Sequence, residues 1–170
     1  MANEVFETVR TILAVREYQD KPLPEDVVRR IVEAAHLTAS ASNTQPWHFV
    51  LVRERERLRK LGSLVRTGPY IANAAAAVIV AYEKQSRTGL SDASRAIQSM
   101  LLAAWGDRVG SNWTGFGSLE NVRIEFGLPD TYEVLGVLPF GYPKRKVIGN
   151  KKRKPLDEVV SAERFGTPLT

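Results

Sequence analysis

The chain contains no cysteine and only two histidines, His36 and His48. The missing thiol removes disulfides, cysteine nucleophiles, iron–sulfur clusters and thiolate metal centres in one step. The two histidines are not joined by an H-E-x-x-H or comparable spacing, so no metal site is expected. No G-x-S-x-G is present to form a nucleophile elbow. Nor is there a G-x-G-x-x-G or a Walker-type G-K-[ST] to cradle phosphates. Long apolar stretches are absent as well. The longest, Ala74 to Tyr82, runs nine residues, against about twenty needed to cross a bilayer as a helix. The opening MANEVFETVRTILAVREY interleaves charges with its apolar residues and does not read as a signal peptide. The expectation is a soluble, cytoplasmic protein with no membrane partner. An enzyme with so few acid–base residues would rely on a bound organic cofactor for its chemistry.

The composition is that of an ordinary globular domain: 170 residues, 44% hydrophobic and 25% charged, with 12 glycines and 9 prolines. A chain of this length buries about 70% of its surface on folding, enough for one sizeable core. One domain over residues 1–170 is expected. The net charge of +5 is unevenly placed: seven basic residues and no acid lie between Lys144 and Lys154, leaving the remainder at −2. Residues 144–170 therefore read as a basic segment and C-terminal extension. A basic run of this kind also suits nucleic acid or another anionic surface. It lacks interleaved aromatics, however, and no nucleic-acid partner is expected.

Val5, Val9, Ile12 and Leu13 fall at helical spacing. Pro24, followed by Glu25 and Asp26, opens a second helix reaching about Thr38. Trp47 to Val52 reads as a strand, Arg53 to Arg66 as an exposed helix and Ala75 to Tyr82 as a buried strand. From Ser91 the apolar positions Ala93, Ala96, Ile97, Met100, Leu101 and Ala104 mark the strongest helix, apolar on most sides and so buried in the core or against another subunit. A helical turn follows from Leu119 to Phe126, and a last strand from Glu133 to Gly141. Strands and helices do not alternate regularly, which points to an α+β fold. Trp105 and Trp113 read as packing residues, and Gln98 as a satisfied buried amide or an interface contact.

Between the second helix and the first strand lies Ser40-Ala41-Ser42-Asn43-Thr44-Gln45-Pro46-Trp47. Asn43 and Gln45 each offer one acceptor and two donors, which suits the mixed edge of a heteroaromatic ring. The same residues also suit a loop that merely satisfies its own backbone.

This stretch, Ser-x-x-Asn-x-Gln-Pro-Trp, closely resembles the signature of the FMN-dependent nitroreductase family, and further blocks agree in order. Arg16-Glu17-Tyr18 looks like the end of an Arg-Ser-x-Arg-x-Phe motif, and Asp92-x-x-x-Ala96-x-Gln98 is similar to the central helix. Gly110 to Gly115 resembles the family's glycine-containing turn. Leu138-Pro139-Phe140-Gly141-Tyr142-Pro143 matches its late strand, and Lys151-Lys152-Arg153 its C-terminal Lys-x-Arg.

The resemblance implies an intertwined homodimer with a mixed or antiparallel central sheet flanked by helices, and FMN bound at the subunit interface. It further implies an NAD(P)H-dependent enzyme with a two-step hydride transfer. Reduced nicotinamide would reduce the flavin and leave, and a nitroaromatic, quinone or other electron-poor small molecule would then be reduced. Arg16 would face the N1–C2=O edge of the flavin. Ser40, Ser42, Asn43 and Gln45 would bond the ring edge and ribityl hydroxyls, in part across the dimer. Thr114 and Gly115 would offer backbone N–H groups toward N5, and Lys151 and Arg153 would pair with the phosphate. No general acid or other catalytic side chain is identified. One departure is plain: Ile12 and Leu13 stand where the family commonly has arginine, and Ala14 where it has serine. The resemblance therefore also admits a non-catalytic or differently liganded flavin-binding member of the same fold.

Overall fold

A computed structural model of the chain describes residues 3–169. Its four strands pair in the order β1-β2-β4-β3, all antiparallel: β1 Trp47–Val52, β2 Ala76–Glu83, β3 Gly110–Ser111 and β4 Tyr132–Gly141. Of the two sheet types that the resemblance allowed, the antiparallel one is present. Five α-helices accompany the sheet: α1 Glu4–Thr11, α2 Glu25–His36, α3 Arg55–Leu64, α4 Gly89–Gly106 and α5 Glu120–Glu125.

Strand β2 is central, and its first six residues are all buried. Its unbroken apolar sequence follows from having helices on both faces. Val78 and Val80 pack with Val28 and Ile31 of α2 and with Ile97 and Met100 of α4. The alternate residues Ala77, Ile79 and Ala81 pack instead with Leu58 and Leu61 of α3 and with Val122 of α5. The period-two geometry of a strand divides the core in this way. The result is a three-layer sandwich, consistent with the α+β expectation. Helix α4 buries Ala93, Ala96, Ile97, Met100 and Ala104, while Leu101, Leu102 and Trp105 on its flank stay half-buried and Gln98 is exposed. In this protomer Gln98 is thus not a buried amide.

Two glycines decide how the N-terminal segment meets the sheet. A Cβ on Gly110 would lie 2.7 Å from the Val15 side chain, and one on Gly141 2.9 Å from the Tyr18 ring. With neither Cβ present, residues 14–18 run against the end of the sheet. The Val15 N–H donates to the Ser111 carbonyl at 2.9 Å, and the Gln19 N–H to the Tyr142 carbonyl at 2.8 Å. The Tyr18 hydroxyl donates to the Val15 carbonyl at 2.7 Å, and burial pushes its phenol far above the usual range. Tyr18 is a structural pin. Among the described residues, no helix is long and apolar enough to cross a membrane.

Candidate active site

Helix α1 ends at Thr11, and Ile12 turns extended, so Ile12, Leu13 and Ala14 leave the helix along one wall of a cleft of about 350 Å³. Gln98 and Leu101 of α4 form the facing wall. Ser111, Asn112 and Trp113, which run on from β3, form the floor. Lys151 and Arg153 also line the cleft. The Lys151 ammonium donates to the Val9 carbonyl near the C-terminus of α1, where the helix dipole favours a cation. Arg153 donates one N–H to the Lys152 carbonyl at 2.9 Å. No carboxylate among the described residues forms an ion pair with either, and no acid or histidine lines the cleft. The lining therefore combines two cations, no acid and a set of apolar side chains. The three positions that depart from Arg-Arg-Ser, Ile12 to Ala14, are part of that wall.

Thr114 and Gly115 lie behind this floor and are buried. The Thr114 N–H is engaged by the Val137 carbonyl at 3.0 Å, and its hydroxyl lies 3.1 Å from that of Thr67. The Gly115 N–H makes a longer contact, 3.3 Å, with the Thr67 hydroxyl. Of the two amides, that of Gly115 is held less tightly. Trp113 lies across Gly136 of β4, where any Cβ would run into the indole.

Arg16 does not open on this cleft. It lines a larger depression of about 590 Å³ together with Arg55, Arg59 and Lys144. Ser40, Ser42, Asn43 and Gln45 line neither space. They form an exposed loop around a short 3-10 turn, in which Ser42, Asn43 and Gln45 adopt φ of 50°, 55° and 51°. Left-handed conformations at non-glycine residues cost about 1 kcal/mol or more each and persist only when their surroundings impose them. Here the Gln45 N–H donates to the Ser40 hydroxyl at 2.9 Å and the Gln45 carboxamide to the Asn43 carbonyl at 3.1 Å. Asp92, fully buried on α4, accepts from the Ala41 N–H at 3.2 Å and pairs with Arg95. Desolvation pushes the Asp92 carboxyl upward. Hydrogen bonds from Thr88, Arg95 and the Ala41 amide outweigh it and hold the group below its ordinary value.

The structure thus brings Lys151 and Arg153 together, backs the cleft with Thr114 and Gly115, and sets Arg16 and the 40–45 loop apart. Reasoning from the sequence passed over Ser111, Asn112 and Thr67. Asn112 is fixed by a 2.6 Å bond to the Tyr70 hydroxyl. Nothing in the local pattern singles these residues out; only the pairing of residues 110–114 with β4 places them. His48 is exposed, packs edge-on against Tyr132 with 6.1 Å between ring centres, and does not line the cleft.

The model of the nitroreductase family matches residues 10–86 and 66–142 of this sequence. The chain belongs to the nitroreductase family. It is therefore an oxidoreductase of the nitroreductase and NADH dehydrogenase type. A Methanothermobacter thermautotrophicus member, provisionally named NADH dehydrogenase/NAD(P)H nitroreductase, is 36% identical over 148 residues, spanning 82% of this chain and 78% of its own. A crystal structure of a protein of the same provisional name from Parabacteroides distasonis aligns with a TM-score of 0.87 at 28% identity, covering 96% of this chain and 100% of that one. An FMN-dependent nitroreductase from Clostridium difficile aligns at a TM-score of 0.87 with 22% identity, over 94% of this chain and 99% of its own, a likeness of fold. The part of this nitroreductase-family chain beyond residue 142, where Lys151 and Arg153 stand, lies outside the matched ranges.

Proposed function

We propose that this chain is an FMN-dependent oxidoreductase that draws on NADH or NADPH to reduce nitroaromatics, quinones or similar electron-poor small molecules, as a cytoplasmic homodimer. The observation that carries this reading is a cleft lined by two cations, an indole and no acid. That set of groups suits a phosphate, a polyhydroxyl chain and a flat aromatic ring. Lys151 and Arg153 would take the phosphate, an interaction between charges that is stronger than a neutral hydrogen bond. The Gln98 carboxamide and the Ser111 hydroxyl suit hydroxyl groups, and Trp113 suits a ring. When bound, FMN supplies a two-electron carrier that accepts hydride from a reduced nicotinamide and delivers it to an acceptor.

The chain's own residues have narrower tasks. The Gly115 N–H is the better candidate for the ring-edge donor, because the Thr114 N–H is already engaged. Arg16 opens on a separate depression, so the ring-edge role that the resemblance implies for it has no support in the geometry of this cleft. The apolar wall of Ile12, Leu13 and Leu101 excludes water. With no acid or imidazole in the cleft, protons come from solvent.

Exposed apolar surface supports the dimer. Helix α1 buries none of its residues, and Val5 and Phe6 are 70% and 60% exposed. In the C-terminal extension Leu156, Val159 and Phe165 are exposed too. Patches of this kind mark interaction surfaces. Asn43 and Gln45, preformed yet facing no cleft of their own protomer, would then serve the partner's cofactor. The loss of an arginine and a serine at Ile12 to Ala14 favours weaker retention of FMN than an Arg-Arg-Ser sequence would give.

Visible absorption of the purified chain, before and after incubation with FMN and desalting, tests this reading. A retained two-band flavin spectrum that bleaches anaerobically with NADH or NADPH is the expected result. A protein that stays colourless at saturating FMN would overturn it.

A further inference from the structure

We propose that a hollow of about 450 Å³ between the C-terminal end of α4 and residues 143–147 is a second binding site, for a nucleoside phosphate. Trp105 supplies an aromatic wall, and Arg108, Lys144, Arg145 and Lys146 surround it without an acid in the lining. The indole is held in place, since its N–H donates to the Thr11 hydroxyl at 3.0 Å. An immobile ring flanked by cations matches the two halves of a nucleotide, a flat base and an anionic phosphate.

Local charges do not cancel this field. Asp107, next to Arg108, is already paired with Arg30 at 2.8 Å. Arg145 has Glu17 at 3.7 Å, whereas Arg108, Lys144 and Lys146 form no ion pair among the described residues.

A second observation comes from the backbone. Arg108 has a φ of 60° just past the end of α4, where the Val109 N–H closes onto the Ala104 carbonyl at 2.8 Å. Glycine or asparagine takes such a position at least cost. An arginine kept in this strained conformation gains nothing for the helix end beyond its charge, which a neighbouring position would supply as well. It does place its guanidinium at the rim of the hollow. The hollow is separate from the cleft of Lys151 and Arg153, and the inference does not depend on FMN.

The test uses the full chain without added flavin and ADP as the probe, followed by calorimetry and tryptophan emission. ADP is expected to bind and to quench emission, and Trp105→Phe to remove most of the quench. Arg108→Gly is expected to weaken ADP at least tenfold while leaving the melting temperature unchanged or higher. The pair Lys144→Gln with Lys146→Gln should weaken it at least as much. If ADP does not bind, or binds equally well to Arg108→Gly and to the lysine pair, the site is overturned. Tighter binding of a single-stranded oligonucleotide than of ADP also overturns it, in favour of a nucleic-acid surface. Displacement of ADP by NADPH would identify the ligand as the adenosine end of a dinucleotide. Binding of ADP that NADPH leaves undisturbed would identify a free nucleotide. Either result supports the site.

Discussion

The loop from Ser40 to Pro46 and the segment from Lys144 to Lys154 both carry groups suited to a flavin, and the protein holds them in opposite ways. The loop is short, turned and strained, with its side chains bonded to its own backbone and its amide at Ala41 tied to the buried Asp92. The basic segment has no helix or strand, and its polar contacts are sparse: Lys144 to the Glu17 carbonyl, Arg145 to the Glu17 carboxylate, Lys151 to Val9, and Arg153 to its own neighbour. Neutral hydrogen-bonding groups discriminate only when their geometry is fixed beforehand, because each is modest in energy and costly when misaligned. Charges tolerate adjustment, so a segment that binds phosphate can be ordered by its ligand. If flavin binds as proposed, its recognition is rigid where it depends on direction and compliant where it depends on charge.

The sharpest way to break that contrast is at Asp92. Replacing Asp92 by Asn leaves Arg95 without its anion and weakens the hold on Ala41. A loss of about 3 kcal/mol is expected, at the low end for breaking a buried pair because Arg95 is half exposed. Urea denaturation would measure it. Since the folded carboxyl lies below its ordinary value, its contribution is present above the unfolded pKa near 3.8 and is lost as pH falls through the folded value. The gap between wild type and Asp92→Asn should therefore close in acid.

Next in size, Lys151→Ala together with Arg153→Ala should weaken FMN by about a hundredfold, or roughly 2.7 kcal/mol. The melting temperature of the chain without flavin should stay within a degree or two, as befits a segment that carries little of the fold. Equilibrium dialysis and a melt on the same preparation check both halves. Leu13→Arg with Ala14→Ser should tighten FMN by about tenfold, the value of one added charge-assisted contact. Retention after desalting reads this directly. The smallest effect belongs to Ser42→Gly. Relief of one left-handed residue, offset by the extra freedom of glycine in the unfolded chain, should raise stability by about 0.5 kcal/mol.

Local patterns carried the fold well. The β1 strand covers the six residues that its apolar run marks, and β2 and β4 lie within a residue of expectation. Helix α4 starts two residues ahead of the expected Ser91 and covers the expected apolar positions. The two-residue strand β3 was not legible, since Gly110-Ser111 has no strand composition and owes its state to pairing with Phe140 and Gly141. The candidate site was legible as pieces and not as an arrangement. Ile12 to Ala14 and Arg16 are adjacent in sequence yet open on different spaces, because the chain between them runs extended and is pinned at Val15 and Tyr18. Likewise, no local pattern announces that the Thr114 N–H is engaged by Val137, a partner in a strand 23 residues later.

Gly136 sits one layer beneath the cleft and touches nothing that enters it, yet the Trp113 indole rests directly on its bare Cα. The depth of the candidate cleft is thus gauged from behind. A single methyl group at residue 136 would displace the ring, and the shape of the cleft would change without any change to a residue that lines it.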